Sequence, residues 1–187
     1  MPYLFEHHGS NFSCHLKQYR CEHVNPNTKL QCKRKQYIGF DLCYQHLKTD
    51  HNLKIAPSTV PKAGKGLFAF NAEADDGDIV FSKDERIIDY NAQLITLMEL
   101  NKRYGDKTAP YAVQINKNLY EDAGCVRSAG SLANHKPRKK TNAKLYAYRG
   151  KAYLKAIKNI KNGDEIFVNY GTDYDLDVDY KTKYVRS

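Results

Sequence analysis

A mainly β domain with short helices, preceded by a small cysteine-bearing module, is the fold class this sequence predicts. Three observations lead to it. Short apolar stretches recur between Gly, Pro and Asn residues that favour turns. No β–α–β alternation, glycine-rich dinucleotide fingerprint or internal repeat interrupts them, which disfavours a doubly wound sheet and a solenoid. Four of the five cysteines, Cys14, Cys21, Cys32 and Cys43, fall within the first 43 residues, a stretch with little of the alternating apolar pattern that builds a core.

Taken in order, residues 1–50 are expected to form a separate module, 51–172 the main domain and 173–187 a C-terminal tail. The change at Asp50-His51-Asn52 introduces strand-like Leu53–Ile55, Gly66–Phe70 and Ile79–Phe81, separated by Pro57, Pro61, Gly64 and Gly77. One helix is expected as an insertion over about 91–105: Asn91 can cap it, Leu94, Leu97 and Met98 share one face, and Gly105 can end it. Further strands are expected at Tyr111–Ile115, Leu119–Glu121, Ala143–Tyr148, Ala152–Ile157 and Glu165–Val168, the last after an Asn162-Gly163 turn.

The chain of 187 residues leaves room for one ordinary domain and a small appendage. Mean hydropathy is -0.72, and no apolar run approaches the roughly 18 residues of a membrane span. The N-terminus lacks a basic and apolar leader, so a soluble chain in a reducing compartment is expected. Thirty Lys and Arg against 21 Asp and Glu give a net charge of +9, which suits a polyanionic neighbour or simple solubility. The charge clusters: ten basic residues and no Asp or Glu lie between Lys136 and Lys161, whereas Asp173, Asp175, Asp177 and Asp179 alternate with Tyr174, Leu176, Val178 and Tyr180.

Cys21, Cys32, Cys43 and His46 read C-x10-C-x10-C-x2-H, and three thiolates with one imidazole complete a tetrahedral structural zinc site. Cys14 or His15 could replace one of them, and His23 lies close to Cys21. Lys33-Arg34-Lys35 could contact phosphates or form a solvated loop. The spacing resembles the Cys3His knuckle of the plant WRC type. Cys125 lies outside any ligand spacing and reads as a lone structural thiol.

Three separated segments carry the functional signal. They are Ala63-Gly64-Lys65-Gly66-Leu67-Phe68-Ala69, Ala129-Gly130-Ser131-Leu132-Ala133-Asn134-His135 followed by Thr141-Asn142-Ala143, and Asn162-Gly163-Asp164-Glu165-Ile166-Phe167-Val168-Asn169-Tyr170-Gly171. In this order and spacing the chain resembles the SET-domain lysine methyltransferases over about residues 52–174. Tyr120-Glu121-Asp122-Ala123 resembles the strand that precedes the Asn-His segment in that family, and the compact size resembles minimal viral members. The resemblance implies a fold of several small sheets with a C-terminal pseudoknot, and methyl transfer from S-adenosylmethionine to a lysine nitrogen, with a histone tail as the expected substrate and the nucleus, of a host if viral, or the cytoplasm as the location. It implies Tyr170 as the catalytic tyrosine, Lys65, Gly66, Leu67, Asn134, His135 and Tyr170 around the cofactor, and Tyr111, Val168 and Tyr174 along the substrate channel. The basic 136–161 stretch would then touch nucleosomal DNA and the acidic tail a basic peptide. A non-catalytic, zinc-containing chromatin or nucleic-acid-binding module is the alternative.

The chain departs from the family pattern in four places. Lys136-Pro137-Arg138-Lys139-Lys140 makes the loop after His135 two residues longer and basic. Ser131 stands where an arginine is common, and Val168 where Phe or Tyr is common. The tail has no cysteines and therefore no zinc-binding segment after the domain.

Overall fold

The computed structural model describes residues 3–7, 10–37, 40–171 and 180–184. The first strands, β1 (Tyr3–His7) and β2 (Ser13–Leu16), form a hairpin. A long irregular segment then reaches α1 (Tyr44–His51) and the hairpin of β3 (Leu53–Pro57) and β4 (Lys65–Ala69). Next come β5 (Ile79–Phe81), β6 (Arg86–Asp89), β7 (Gln93–Thr96) and α2 (Leu97–Tyr104). The chain continues through β8 (Ala112–Asn116), β9 (Leu119–Asp122), β10 (Asn134–His135), β11 (Ala143–Tyr148), β12 (Lys151–Ala156), β13 (Ile160–Lys161), β14 (Phe167–Val168) and β15 (Tyr180–Tyr184). The described residues form six small sheets, in the orders β15–β1–β2, β10–β14, β11–β12–β6, β13–β5, β3–β4 and β7–β9–β8.

Most expected strands form within a residue or two of their expected ends. The helix does not. It starts at Leu97, because the Thr96 hydroxyl accepts from the Glu99 backbone N–H, while Gln93–Thr96 pairs with β9 as a strand. Leu94 and Met98 are exposed, and the buried face is Arg103 and Tyr104. Those two converge on Asp122: the Arg103 guanidinium lies 2.8 Å from its carboxylate, and the Tyr104 hydroxyl donates at 2.9 Å. Burial and the adjacent Asp122 charge push the Tyr104 phenol well above its ordinary value. Gly105 does end the helix, at φ +61.

The first 50 residues do not behave as one module. Phe5 and Leu16 pack with Tyr104 and Tyr111, and β1 pairs with β15, so the N-terminal hairpin belongs with the main domain. Only the segment from about Tyr19 onward surrounds the Cys/His cluster, and its Phe40 and Leu47 enter the main core beside Leu53, Leu67 and Val168. Cys125 is not a lone thiol. It forms a disulfide with Cys14 across 111 residues of sequence, tying β2 to the loop after β9.

Candidate functional site

The Gly-x-Gly segment, the Asn-His segment and the C-terminal motif meet around Glu165. Register brings β10 beside β14, with Asn134 opposite Phe167 and His135 opposite Val168 in parallel. Glu165 is 5% exposed and accepts from the Ser58 hydroxyl at 2.6 Å, the Thr59 amide at 2.7 Å and the Thr59 hydroxyl at 2.5 Å. Asn134 Nδ2 donates to the Lys65 carbonyl at 3.0 Å and to Glu165 at 3.2 Å. Burial alone would raise the Glu165 carboxyl, but these donors outweigh it and hold the group below its ordinary value. Leu67 is fully buried in the main core. Ser58 and Thr59 carry no motif, and their role is not legible in the sequence.

Tyr170 is fixed at three points. Its hydroxyl donates to the Ala133 carbonyl at 3.0 Å, its backbone N–H donates to His135 Nδ1 at 3.1 Å, and its ring lies 5.3 Å from the imidazole. His135 must therefore be neutral, with its proton on Nε2, and burial lowers its pKa in the same sense. The longer basic loop does not displace this arrangement. Lys136 N–H donates to the Val168 carbonyl, and the Asn142 side chain accepts from Phe167 N–H and donates to the Glu165 carbonyl, closing the loop onto β14.

Tyr170 borders a cavity of about 200 Å³ that Tyr111, Val168, Tyr90, Leu145 and Ala133 also line. Tyr111 is held from two sides. Its carbonyl accepts from the Tyr90 hydroxyl at 2.8 Å, and the Arg127 guanidinium sits 4.6 Å from its ring. Ser131 also borders the cavity, its hydroxyl turned to the Ser128 carbonyl at 2.8 Å. Lys65, Gly66, Leu67, Asn134 and His135 do not line it; Asn134 joins the Lys65 backbone to Glu165, and His135 alone of the five bonds Tyr170. Tyr174 and the four tail aspartates lie outside the described residues, and for Tyr180 only the backbone, in β15, is described.

At the other end, Cys21, Cys32, Cys43 and His46 bring their ligand atoms within 4.8 Å of one another. Cys43 is the N-cap of α1 and His46 follows in its first turn, which places both at one helix end. The Cys43 N–H points at Cys21 Sγ at 3.2 Å and the Arg34 N–H at Cys32 Sγ at 3.4 Å, donors that suit thiolates. Burial and the neighbouring His23 lower the His46 pKa, favouring the neutral ring a metal requires. The set fits a closed zinc site. His23 is outside it, stacked on His46 at 3.6 Å and bonded to Asp50 at 2.5 Å; His15 is exposed on β2, and Cys14 is committed to its disulfide.

This geometry agrees with the comparisons. Residues 64–171 match the SET domain, and the chain belongs to the SET-domain family. Among solved structures it is similar to polycomb repressive complex 2 of Chaetomium thermophilum. An autoinhibited form bound to S-adenosylmethionine aligns at 25% identity and a TM-score of 0.53, over 66% of this chain and 16% of that chain. A crystal structure of the complex aligns at 26% and 0.52, over 69% and 16%. A third, in complex with trimethylated and methionine-substituted histone H3, aligns at 27% and 0.50, over 64% and 14%. The match thus spans about a sixth of the length of those chains. No curated protein matches.

Proposed function

We propose that this chain is an S-adenosylmethionine-dependent protein lysine methyltransferase acting on a histone tail in the nucleus. The observation that carries the reading is the cavity bounded by Tyr170, Tyr111 and Val168 inside the matched domain. S-adenosylmethionine supplies an electrophilic methyl group for direct displacement by the lysine amine.

The chain's own task is to present that amine neutral and aligned. A free lysine has a pKa of about 10.4, so only a few molecules in ten thousand are neutral at pH 7. The tyrosine-walled cavity, which also carries Gln114, Ser131 and Asn169, takes the amine partly out of water and so disfavours the ammonium. Tyr170, held through its hydroxyl and backbone, orients the amine and stabilises the charge that moves through the site. Tyr111, clamped by Tyr90 and Arg127, guides the lysine stem, and its ring can attract a methylated ammonium. Alignment of a preorganised pair supplies several kcal/mol more. Lys65, Gly66, Leu67, Asn134 and His135 would hold the cofactor through backbone groups, since the Asn134 Nδ2 and His135 Nδ1 atoms are already engaged. Val168, smaller than the aromatic residue common there, leaves room for more than one methyl.

A histone substrate is supported by the histone-bound relative and by the acidic-aromatic composition of the tail, in which Tyr174 would complete the channel. The basic 136–161 stretch would contact nucleosomal DNA phosphates. The test is transfer of labelled methyl to histones, nucleosomes and a whole lysate, with products read by mass spectrometry. Labelling of histone lysine beyond the monomethyl state is expected. A folded chain that labels nothing at saturating cofactor contradicts the activity and favours the non-catalytic module; labelling confined to other proteins contradicts the substrate.

A further inference from the structure

The outer face of the β11–β12–β6 sheet carries side chains that methyl transfer does not use. Strand alternation sends Leu145 into the cavity and Lys144, Tyr146 and Tyr148 to the opposite face. On β12, Ala152, Leu154 and Ala156 are buried, which leaves Lys151, Tyr153 and Lys155 on that outer face. Antiparallel register then sets Lys144 opposite Lys155, Tyr146 opposite Tyr153 and Tyr148 opposite Lys151. Tyr146 and Tyr153 stack with centroids 5.9 Å apart and planes inclined by 20°. Cations surround the rings: Lys144 Nζ lies 5.2 Å and Lys155 Nζ 5.6 Å from the Tyr146 centroid, the Arg86 guanidinium 4.2 Å from that of Tyr153, and the Arg149 guanidinium 5.1 Å from that of Tyr148. Among the described residues, Asp84 pairs with Lys155 at 2.9 Å and Asp89 with Arg86.

Lysines placed directly opposite each other repel across a strand pair, and of Lys144 and Lys155 only the second has an acidic partner among the described residues. Tyr148 keeps 58% of its surface exposed beside further cations. A polyanion with flat aromatic faces satisfies both features: its phosphates neutralise the lysines while a base stacks on the exposed Tyr148 ring. A duplex offers phosphates but hides its base faces within the stack.

We infer that this face binds single-stranded nucleic acid without strong sequence preference. The inference deepens the DNA contact proposed above for residues 136–161, rests on its polyanion component, and is independent of methyl transfer. The test is fluorescence anisotropy of the whole chain with a labelled short oligothymidylate, an abasic strand of equal length and a duplex. The oligothymidylate is expected to bind about tenfold or more tightly than the abasic strand, with affinity falling as salt rises. The variant Tyr148→Thr is expected to lose that advantage and to bind the abasic strand as before, while Tyr148→Phe keeps it. Equal affinity for all three ligands overturns the inference and leaves a phosphate contact standing. No binding of any of them overturns both. Displacement of the oligothymidylate by polyglutamate at equal charge also overturns it, assigning the face to acidic protein. If the threonine variant does not fold, the comparison of ligands on the unmutated chain still decides.

Discussion

Gly66 has no room for a side chain. A Cβ there would stand 2.2 Å from Glu165 Oε1 and 3.3 Å from Asn134 Nδ2. The glycine is thus needed by the protein's own buried carboxylate, a reason the sequence does not display. Gly66→Ala is expected to cost about 1–3 kcal/mol, read as a lower midpoint in thermal or urea unfolding; an unchanged midpoint would show that Glu165 can move aside. The His135 ring supplies a second prediction. Because burial lowers its pKa in the fold, the unfolded chain binds the proton more readily, and stability is lost as pH falls below about 6.5. Protonation also removes the acceptor for Tyr170 N–H. The melting temperature should therefore drop on acidification through that window, and His135→Gln should flatten the drop.

Among secondary-structure elements, legibility followed how local the cause was. The pair Ala143–Tyr148 and Ala152–Ile157 was readable because its alternation persists over several residues and its partner is adjacent in sequence. The strand β14 falls inside the expected Glu165–Val168 stretch, but its partner β10 is two residues long and exists only through pairing with β14, more than thirty residues later, so no periodicity announces it. The start of α2 was written in Thr96-x-x-Glu99, a cap signal outweighed by the misleading apolar spacing of Leu94, Leu97 and Met98. No apolar stripe marks α1; its Cys43-x-x-His46 spacing is the signal, since a metal held at its first turn would supply what propensity does not. One zinc per chain is expected by elemental analysis. Removing it with a chelator should unfold the segment around Cys21–His46, read as loss of amide protection there, while β11 and β12 stay protected. Retained protection without metal would mean that Phe40 and Leu47 anchor the segment alone.

Across the whole molecule, the N-terminal hairpin is tied both to β15 and, through Phe5 on Tyr111, to the wall of the cavity. The β1 strand pairs with both β2 and β15, and Cys14 on β2 is joined to Cys125, three residues after the buried Asp122. Residues 180–184, as β15, lie antiparallel beside β1. Neither the hairpin nor the cross-link was visible in the sequence, because cysteine spacing says nothing about partners 111 residues apart. Thiol titration of the denatured, chelated chain should find three free thiols before reduction and five after. Reduction should lower stability by as much as about 4–5 kcal/mol, as closing so long a loop allows. Five thiols without reductant would contradict the cross-link.

The central claim, that Tyr170 faces a lysine poised for methylation, is most directly tested by the rate of methyl transfer to histone at saturating S-adenosylmethionine by the wild type and Tyr170→Phe. Loss of the hydroxyl is expected to slow transfer by about a hundredfold or more while cofactor affinity and melting temperature change little. Equal rates in the two proteins would contradict it.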